Sequence, residues 1–319
     1  MKAVVYSRYG GPDQLQFADI DLPEPAKGEI RVKVLACAVN LSDWEYLTGA
    51  PAWVRTVGGL FKPKVPVLGS DIVGIVDKLG EGVSGFEIGQ RVMGDYVMTR
   101  GGFAEYACVP SDETVAVPDA LSDEIAACIP QAGGIAVAGT DGLSDGDRML
   151  INGAGGGSGT MAMQLAKAAG VHVTAVDNAG KTEWLESLGA DKVIDYATVN
   201  FTETGERWDR ILDMVATRGP REISQALAEG GAYMALGGDV PTLLSIVFGG
   251  KLLSRNRSIG MLLVPSGQDL TRRAAELALQ GRIVPHIDAV LPFAAVPEAL
   301  ARTGKGKVLG KIVIKPELA

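Results

Sequence analysis

The sequence predicts two linked α/β domains: a β-rich domain at the N-terminus and, after it, a domain built on a doubly wound parallel sheet. Three observations carry this. Short runs rich in β-branched residues, broken by glycine and proline, fill the chain to about residue 120. From Met149 onward strands and helices alternate. A glycine-rich stretch, "NGAGGGSGT" (152–160), sits where one of those strands gives way to a helix.

Composition bounds the classes of function. The chain has 319 residues, 47% hydrophobic and 21% charged, which suits two globular domains with real cores. Its net charge of −8 and lack of a long basic run speak against nucleic acid or an anionic membrane as partner. The apolar start of "MKAVVYSRYGG" is too short for a secretory signal. The longest mostly apolar run, Leu243–Leu253, contains two glycines and Lys251 and is far shorter than the ~20 residues that span a bilayer. Cys37, Cys108 and Cys128 form neither a Cys-x-x-Cys pair nor a disulfide framework, so the cytoplasm is the expected compartment.

The elements follow in order. "KAVVY", "EIRVKVLACAV", "DIVGIVDKLG", "QRVMGD" and "FAEYACVP" read as strands of a small, twisted antiparallel or barrel-like domain. "LSDEIAACIPQAGGIAVAG" reads as helix, with Ser122 as N-cap and Pro130 as an interruption. "MLING", "HVTAVD", "KVIDY", "RILDMVA", "AYMALGG" and "RSIGMLLV" read as strands. Residues 158–169, "KTEWLESLG" and "PREISQALAEGG" read as helices between them. After Pro265 come a helix, "QDLTRRAAELALQG", and then "IDAVLPF", "VPEALARTGKG" and "KIVIKP". This tail lacks the alternation and is expected to rejoin the first domain. The boundaries are therefore 1–120 with 265–319, and 121–264.

Glycines at a strand-to-helix turn let backbone amides approach a pyrophosphate at the helix N-terminus, where the dipole favours anions. Gly153, Gly155, Gly156, Gly157, Ser158 and Gly159 are the candidate binding residues, in a Gly-x-x-Gly-x-x-Gly spacing rather than the usual G-x-G-x-x-G. "VTAVD" ends in Asp177, 24 residues past Gly153, near where a carboxylate accepts hydrogen bonds from the adenine ribose. Lys181 pulls the other way, because a lysine there would neutralise a 2′-phosphate. A bound NAD(P)H is thus expected, with NADH against NADPH left open.

Several separated motifs resemble the medium-chain dehydrogenase/reductase superfamily, in its zinc-free quinone oxidoreductase (ζ-crystallin-like) branch. They are "PVLGSDIVGIVDKLGEGVSGFEIGQRVMG", "GGFAEYACVP", "LINGAGGGSGTMAMQLAKAAG", "LGADKVIDY" and "GKGKVLGKIVIK". The resemblance implies a GroES-like β-rich catalytic domain, a Rossmann domain, a cofactor cleft between them, and a homo-oligomer, with a dimer foremost. Zinc-dependent members carry a Cys and a His-Glu pair where this chain has Asn40, Ser70 and Asp71. With only His172 and His286 in the whole chain, no zinc is expected.

"AVNLSDWEYLTG" resembles the branch's Val-Asn-x-x-Asp motif, which makes Asn40 and Asp43 candidate catalytic residues. The competing reading is a local capping turn. The branch's tyrosine two residues after the Asp is replaced by Glu45, with Tyr46 one later. Trp53, in the segment 51–64 expected to cover the active site, is a candidate to stack on substrate or nicotinamide. Tyr196 matches a family position beside the adenosine. Gly237 and Gly238 match a loop facing the nicotinamide ribose. The expected reaction is hydride transfer to a small-molecule electron acceptor, a quinone or the C=C of an α,β-unsaturated carbonyl. Carbonyl reduction or a specialised-metabolism reaction on the same scaffold, and a non-catalytic nucleotide-binding structural or sensory protein, are the alternatives.

Overall fold

A computed structural model describes residues 1–253 and 256–316. The chain divides into two compact units. Unit 1 is Met1–Gly134, Pro265–Gly281 and Pro285 onward; unit 2 is Ile135–Val264 with Arg282–Val284. The tail lies in unit 1. The first boundary falls at 134/135 instead of 120/121, because the helix after residue 122 packs on strands of unit 1.

In unit 1, β1 (Lys2–Val5) pairs antiparallel with β2 (Gln16–Asp19). β3 (Glu29–Ala38) is the long central strand, followed by helices α1 (Leu41–Thr48) and α2 (Trp53–Gly58). Then come β4 (Asp71–Leu79), β5 (Arg91–Asp95), β6 (Tyr106–Pro110) and β7 (Val115–Ala116). These strands were all legible from their β-branched runs except β2 and the two-residue β7. The helical segment that follows is split as its proline demands. Ser122 Oγ caps α3 (Asp123–Cys128) by accepting from Ile125 N, and α4 (Pro130–Thr140) restarts with Pro130 at its head.

Unit 2 contains β8 (Arg148–Asn152), α5 (Gly157–Ala168), β9 (His172–Asp177), α6 (Thr182–Ser187), β10 (Lys192–Asp195) and β11 (Trp208–Asp213). Next are α7 (Pro220–Ala226), β12 (Leu227–Ala235), α8 (Val240–Leu253) and β13 (Ser258–Met261). The strands form one parallel six-stranded sheet in the order β10-β9-β8-β11-β12-β13. The order reverses beside β8, so the switch point of the sheet falls at the glycine turn. Trp208 is fully buried, with Phe201 edge-on at 6.2 Å between ring centroids, and anchors the core.

Two features of unit 2 differ from the sequence reading. "PREISQALAEGG" is helical only to Ala226; Leu227–Gly231 already belong to β12, since Leu227 pairs with Trp208 and its side chain enters the core. Residues 240–253 form a helix that no polar periodicity announces. It lies so close to β13 that a Cβ on Gly250 would sit 2.5 Å from the Ile259 carbonyl oxygen.

Unit 1 is completed by α9 (Gln268–Leu279), β14 (Ile287–Pro292), α10 (Val296–Gly304) and β15 (Lys311–Lys315). The large sheet runs β14-β15-β3-β4-β5-β7, with β6 on the other half of β3. β14 and β15 are parallel; the remaining pairs are antiparallel. Its core includes Val32, Val34, Ile72, Val76, Phe103 and Ile312.

Candidate active site

The glycine turn leaves β8 with Gly153 at φ 87°, a conformation that favours glycine. Gly159 is needed for another reason: a Cβ there would come within 2.6 Å of Gly153 O and Ala154 O, so the helix could not seat on the loop. No side chain caps α5, which begins after Gly156. The N-terminal amides of Gly157, Ser158 and Gly159 are thereby free of intrahelical partners. This is the arrangement an anionic pyrophosphate needs, and the residues fit a dinucleotide.

Asp177 and Lys181 do not compete here; they pair. Asp177 Oδ2 accepts from Gly155 N at 2.8 Å, and Oδ1 accepts from Asn178 N and Nδ2 at 2.9 Å. Lys181 Nζ lies 3.3 Å from Asp177 Oδ1, with both side chains under 10% exposed. Gly155 leaves room for them: its Cβ would stand 2.5 Å from Lys181 Cδ. The carboxylate therefore shapes the turn. Tyr196 follows β10 and is 57% exposed, which removes core packing as its role. Gly237 passes so close to Met214 that a Cβ would sit 2.6 Å from its carbonyl oxygen; Gly238, at φ 146°, bridges to Ala216. Below the turn, Asp213 accepts from Asn152 Nδ2 at 2.8 Å, Val215 N at 3.0 Å and Tyr233 OH at 2.9 Å, tying three strands together.

In unit 1 a polar cluster forms at one end of the large sheet, and strand register builds it. β15 runs antiparallel to β3 with Val313 opposite Ala38, so Lys311 falls opposite Asn40. β4 pairs Asp71 with Ala38, and β5 pairs Asp95 with Asp71. Lys311 Nζ donates to Asn40 Oδ1 and, at 3.3 Å, to Asp71 Oδ2. Asn40 Nδ2 donates to Ser70 Oγ at 3.1 Å. Gln131, at the start of α4, donates its backbone N–H to Asp71 Oδ1 at 3.0 Å and its side-chain amide to Asp95. Ser42 Oγ donates to Gln131 Oε1 at 3.2 Å.

Asn40 and Asp43 have separate tasks. Asp43 is fully buried and accepts from Asn40 N and Gly69 N, each at 2.9 Å. It performs the capping role and braces the strand end against Gly69. Asn40 turns its side chain to Ser70 and Lys311 instead. Burial pushes Asp43 up to about 6, against the two backbone donors. Burial likewise raises Asp71, where Lys311 opposes it, and raises Asp95 strongly, helped by the neighbouring Asp71.

The residues around α1 are sorted by the fold. Tyr46 is buried, with the Arg100 guanidinium 3.8 Å above its ring centroid, and Arg100 itself adopts φ 54°. Trp44 packs on α10, where Gly304 makes room for its indole. Trp53 opens the short helix α2 and is 37% exposed. Glu45, in the place of the branch's tyrosine, is half-buried and raised to about 7 by desolvation alone. Sequence reasoning missed Lys311, Asp95 and Gln131. Lys311 stood inside a quoted motif, but its partner Asn40 lies 271 residues away.

An amide, a hydroxyl and a carboxylate with an ammonium among them do not make a zinc ligand set. Among the described residues no group of three or more His, Cys, Asp or Glu is arranged to hold a metal ion. Nor is any helix there long and apolar enough to cross a membrane.

Asp177→Ala should weaken NADH and NADPH binding alike, by about tenfold, since it removes the acceptor for Gly155 N–H and leaves Lys181 buried and unpaired. Fluorescence titration with both cofactors checks this; a loss confined to NADH would place the carboxylate on the ribose. A second expectation concerns pH. The folded protein binds a proton at Glu45 more tightly than the unfolded chain does, so this group costs stability as pH rises from about 4.5 to 7. Glu45→Gln should raise Tm at pH 8 and leave it nearly unchanged at pH 4.5; equal shifts at both would refute the burial effect.

Residues 26–119 match the family described as alcohol dehydrogenase GroES-like domain, and residues 188–314 the family described as zinc-binding dehydrogenase. The chain is 31% identical to 2-methylene-furan-3-one reductase of Solanum lycopersicum, covering 99% of this chain and 79% of that one. The quinone oxidoreductase from Coxiella burnetii has a TM-score of 0.88 at 26% identity, with 99% of each chain covered. Mycobacterial Rv1454c, solved in complex with NADPH, has a TM-score of 0.82 at 26% identity, covering 99% of this chain and all of that one. With a GroES-like domain, a Rossmann sheet switched at its glycine turn and relatives matched along its whole length, the chain belongs to the medium-chain dehydrogenase/reductase superfamily and is an oxidoreductase.

Proposed function

We propose that this protein is a zinc-independent NAD(P)H oxidoreductase that reduces a quinone or the C=C of an α,β-unsaturated carbonyl. The observation that carries the reading is the cluster of Asn40, Ser70, Asp71 and Lys311, in which the positions that resemble the metal ligands of zinc-dependent members hold an amide, a hydroxyl and a carboxylate around a side-chain cation. The name of the tomato relative describes an α,β-unsaturated ketone, and that of the Coxiella neighbour a quinone, which supports both acceptor classes.

The amides at the head of α5 hold the pyrophosphate, and Asp177 with Lys181 fixes the turn that presents them. When bound, the nicotinamide supplies the hydride. Hydride arrival at an electron-poor carbon leaves negative charge on the conjugated carbonyl oxygen. Without a Lewis acid that charge needs fixed hydrogen-bond donors, and Asn40 Nδ2 is the donor this chain provides. Its orientation is set before substrate arrives, because Ser70 and Lys311 grip the carboxamide from both ends. Asp43 keeps α1 in register so that Asn40 stays at the strand end.

Steady-state oxidation of NADH and NADPH with quinones, enones and simple ketones should show turnover with the first two classes, undiminished after dialysis against EDTA. Asn40→Ala should lower kcat about tenfold to a hundredfold with cofactor affinity intact. Cofactor binding without turnover on any acceptor would sink the reading, and loss of activity with EDTA would sink its zinc independence.

We propose further that the protein forms a homodimer through unit 2. α8 exposes Leu244, Phe248 and Leu252, and Leu263 beyond β13 is 83% exposed, beside a strand that among the described residues pairs on one side only. Light scattering should report twice the chain mass, and Phe248→Glu should halve it; a wild-type monomer would overturn the assignment.

A further inference from the structure

Asp43, Asp71 and Asp95 all accept hydrogen bonds where they are buried. Glu45 differs. It is half-buried, yet among the described residues nothing donates to its carboxyl and no cation pairs with it; burial is the only influence on its proton. α1 packs on α2 and α10, and the charged groups there are occupied or turned to water. Arg55 donates to Gly49 O and stacks on Tyr9, Arg302 pairs with Asp288, and Glu298 is exposed. Arg100 lies over Tyr46, and Asp43 on α1 itself serves Asn40 N and Gly69 N.

The helix fixes where this carboxyl stands. Asp43, Tyr46 and Leu47 are the residues that α1 buries, and Trp44 lies against Gly304. Glu45 falls on the remaining face, with Leu41 four residues before it and Ser42 three before. Leu41 is 46% exposed, so the core of unit 1 does not close over that face. Ser42 Oγ reaches Gln131, which holds Asp71 and Asp95. Helical side chains lean toward the N-terminus, so that of Glu45 covers the turn of Leu41 and Ser42, which starts at Asn40. An unpaired carboxyl here costs stability and holds no element in place. Residues that break a local rule without structural return mark function.

Hydride addition to an enone leaves an enolate that still needs a proton. We propose that Glu45 is the proton donor of the reduction, delivering its proton to the α-carbon of an α,β-unsaturated carbonyl once hydride has reached the β-carbon. This rests on the reading of the protein as a quinone or enone reductase. The C–H bond at the β-carbon forms with the hydride's electron pair, and the C=C pair shifts toward the carbonyl as enolate. That pair then takes the proton as the Glu45 O–H bond breaks, and the carboxylate regains a proton from water. One hydride and one proton are added, and the nicotinamide is left oxidised.

The test compares wild type with Glu45→Gln, which keeps the shape and gives no proton. Enone kcat should fall about a hundredfold, with NADPH affinity and acceptor KM little changed. Quinone reduction should fall far less, because water protonates a hydroquinone oxygen readily. Wild-type enone kcat should decline as pH rises through about 7, since the donor must hold its proton, and Glu45→Gln should lack that step. Asp43, pushed up to about 6, stays in the variant, so loss of the step assigns it to Glu45. With an α-substituted enone in heavy water, wild type should place deuterium on one face of the α-carbon and the variant on both. A merely structural role would leave that labelling alone. Carbon-13 nuclear magnetic resonance reads the group without turnover: one carboxyl should titrate near 7 in wild type and be missing from Glu45→Gln. Titration near 4.5 instead, or one-faced labelling and undiminished enone turnover in the variant, would overturn the donor role alone. A wild type silent toward every acceptor would refute the functional reading and the donor role together.

Discussion

The buried contact of Lys311 with Asn40 and Asp71 is the constraint around which unit 1 is arranged. It joins the first residue of β15 to the second residue after β3 and to the first residue of β4. It therefore requires that the tail of the chain return to the domain that the N-terminus began. A lysine and two polar partners are costly to take out of water. The site tolerates them because every partner is itself held. Asn40 is gripped by Ser70, Asp71 by Gln131, and α1 by the carboxylate of Asp43. Buried polar networks are stable in proportion to how completely they are satisfied.

Unit 2 meets a similar demand with backbone instead of side chains. Its anion site is made by amides at a helix start, and side chains serve it at one remove. Asp177 holds Gly155, Lys181 neutralises Asp177, and Asp213 joins β8 to β11 and β12 beneath the turn. Each glycine that matters does so for a stated reason: a left-handed φ at Gly153, close approach at Gly159, room for a lysine at Gly155. The pairing of Asp177 with Lys181 also accounts for their opposed signals in the sequence. Read singly, each favours a different cofactor. Paired, they cancel as charges and act as a brace.

What could be read from the residues was what is local. The β-branched runs, Ser122 as a cap, Pro130 as a break and the glycine turn between strand and helix all follow from spacing a few residues long. Asn40 and Asp43 could be named as candidates from one motif. Their division of labour could not, because it depends on Gly69, Ser70 and Lys311, which contact them from elsewhere in the chain. The same limit explains the helix over-extended past Ala226. Its sequence allows helix, and only pairing with β11 draws Leu227 into a strand. Helix α8 escaped notice because it is apolar on every side, so no period marks it.

By itself, then, the sequence determined the two-domain α/β class, the dinucleotide turn and the residues on either side of it. Tertiary structure decided which charges meet. Strand register, set by side-chain alternation across the whole sheet, placed Lys311 opposite Asn40 and Asp71 beside both. No window along the chain contains that juxtaposition, since it exists only once the strands pair.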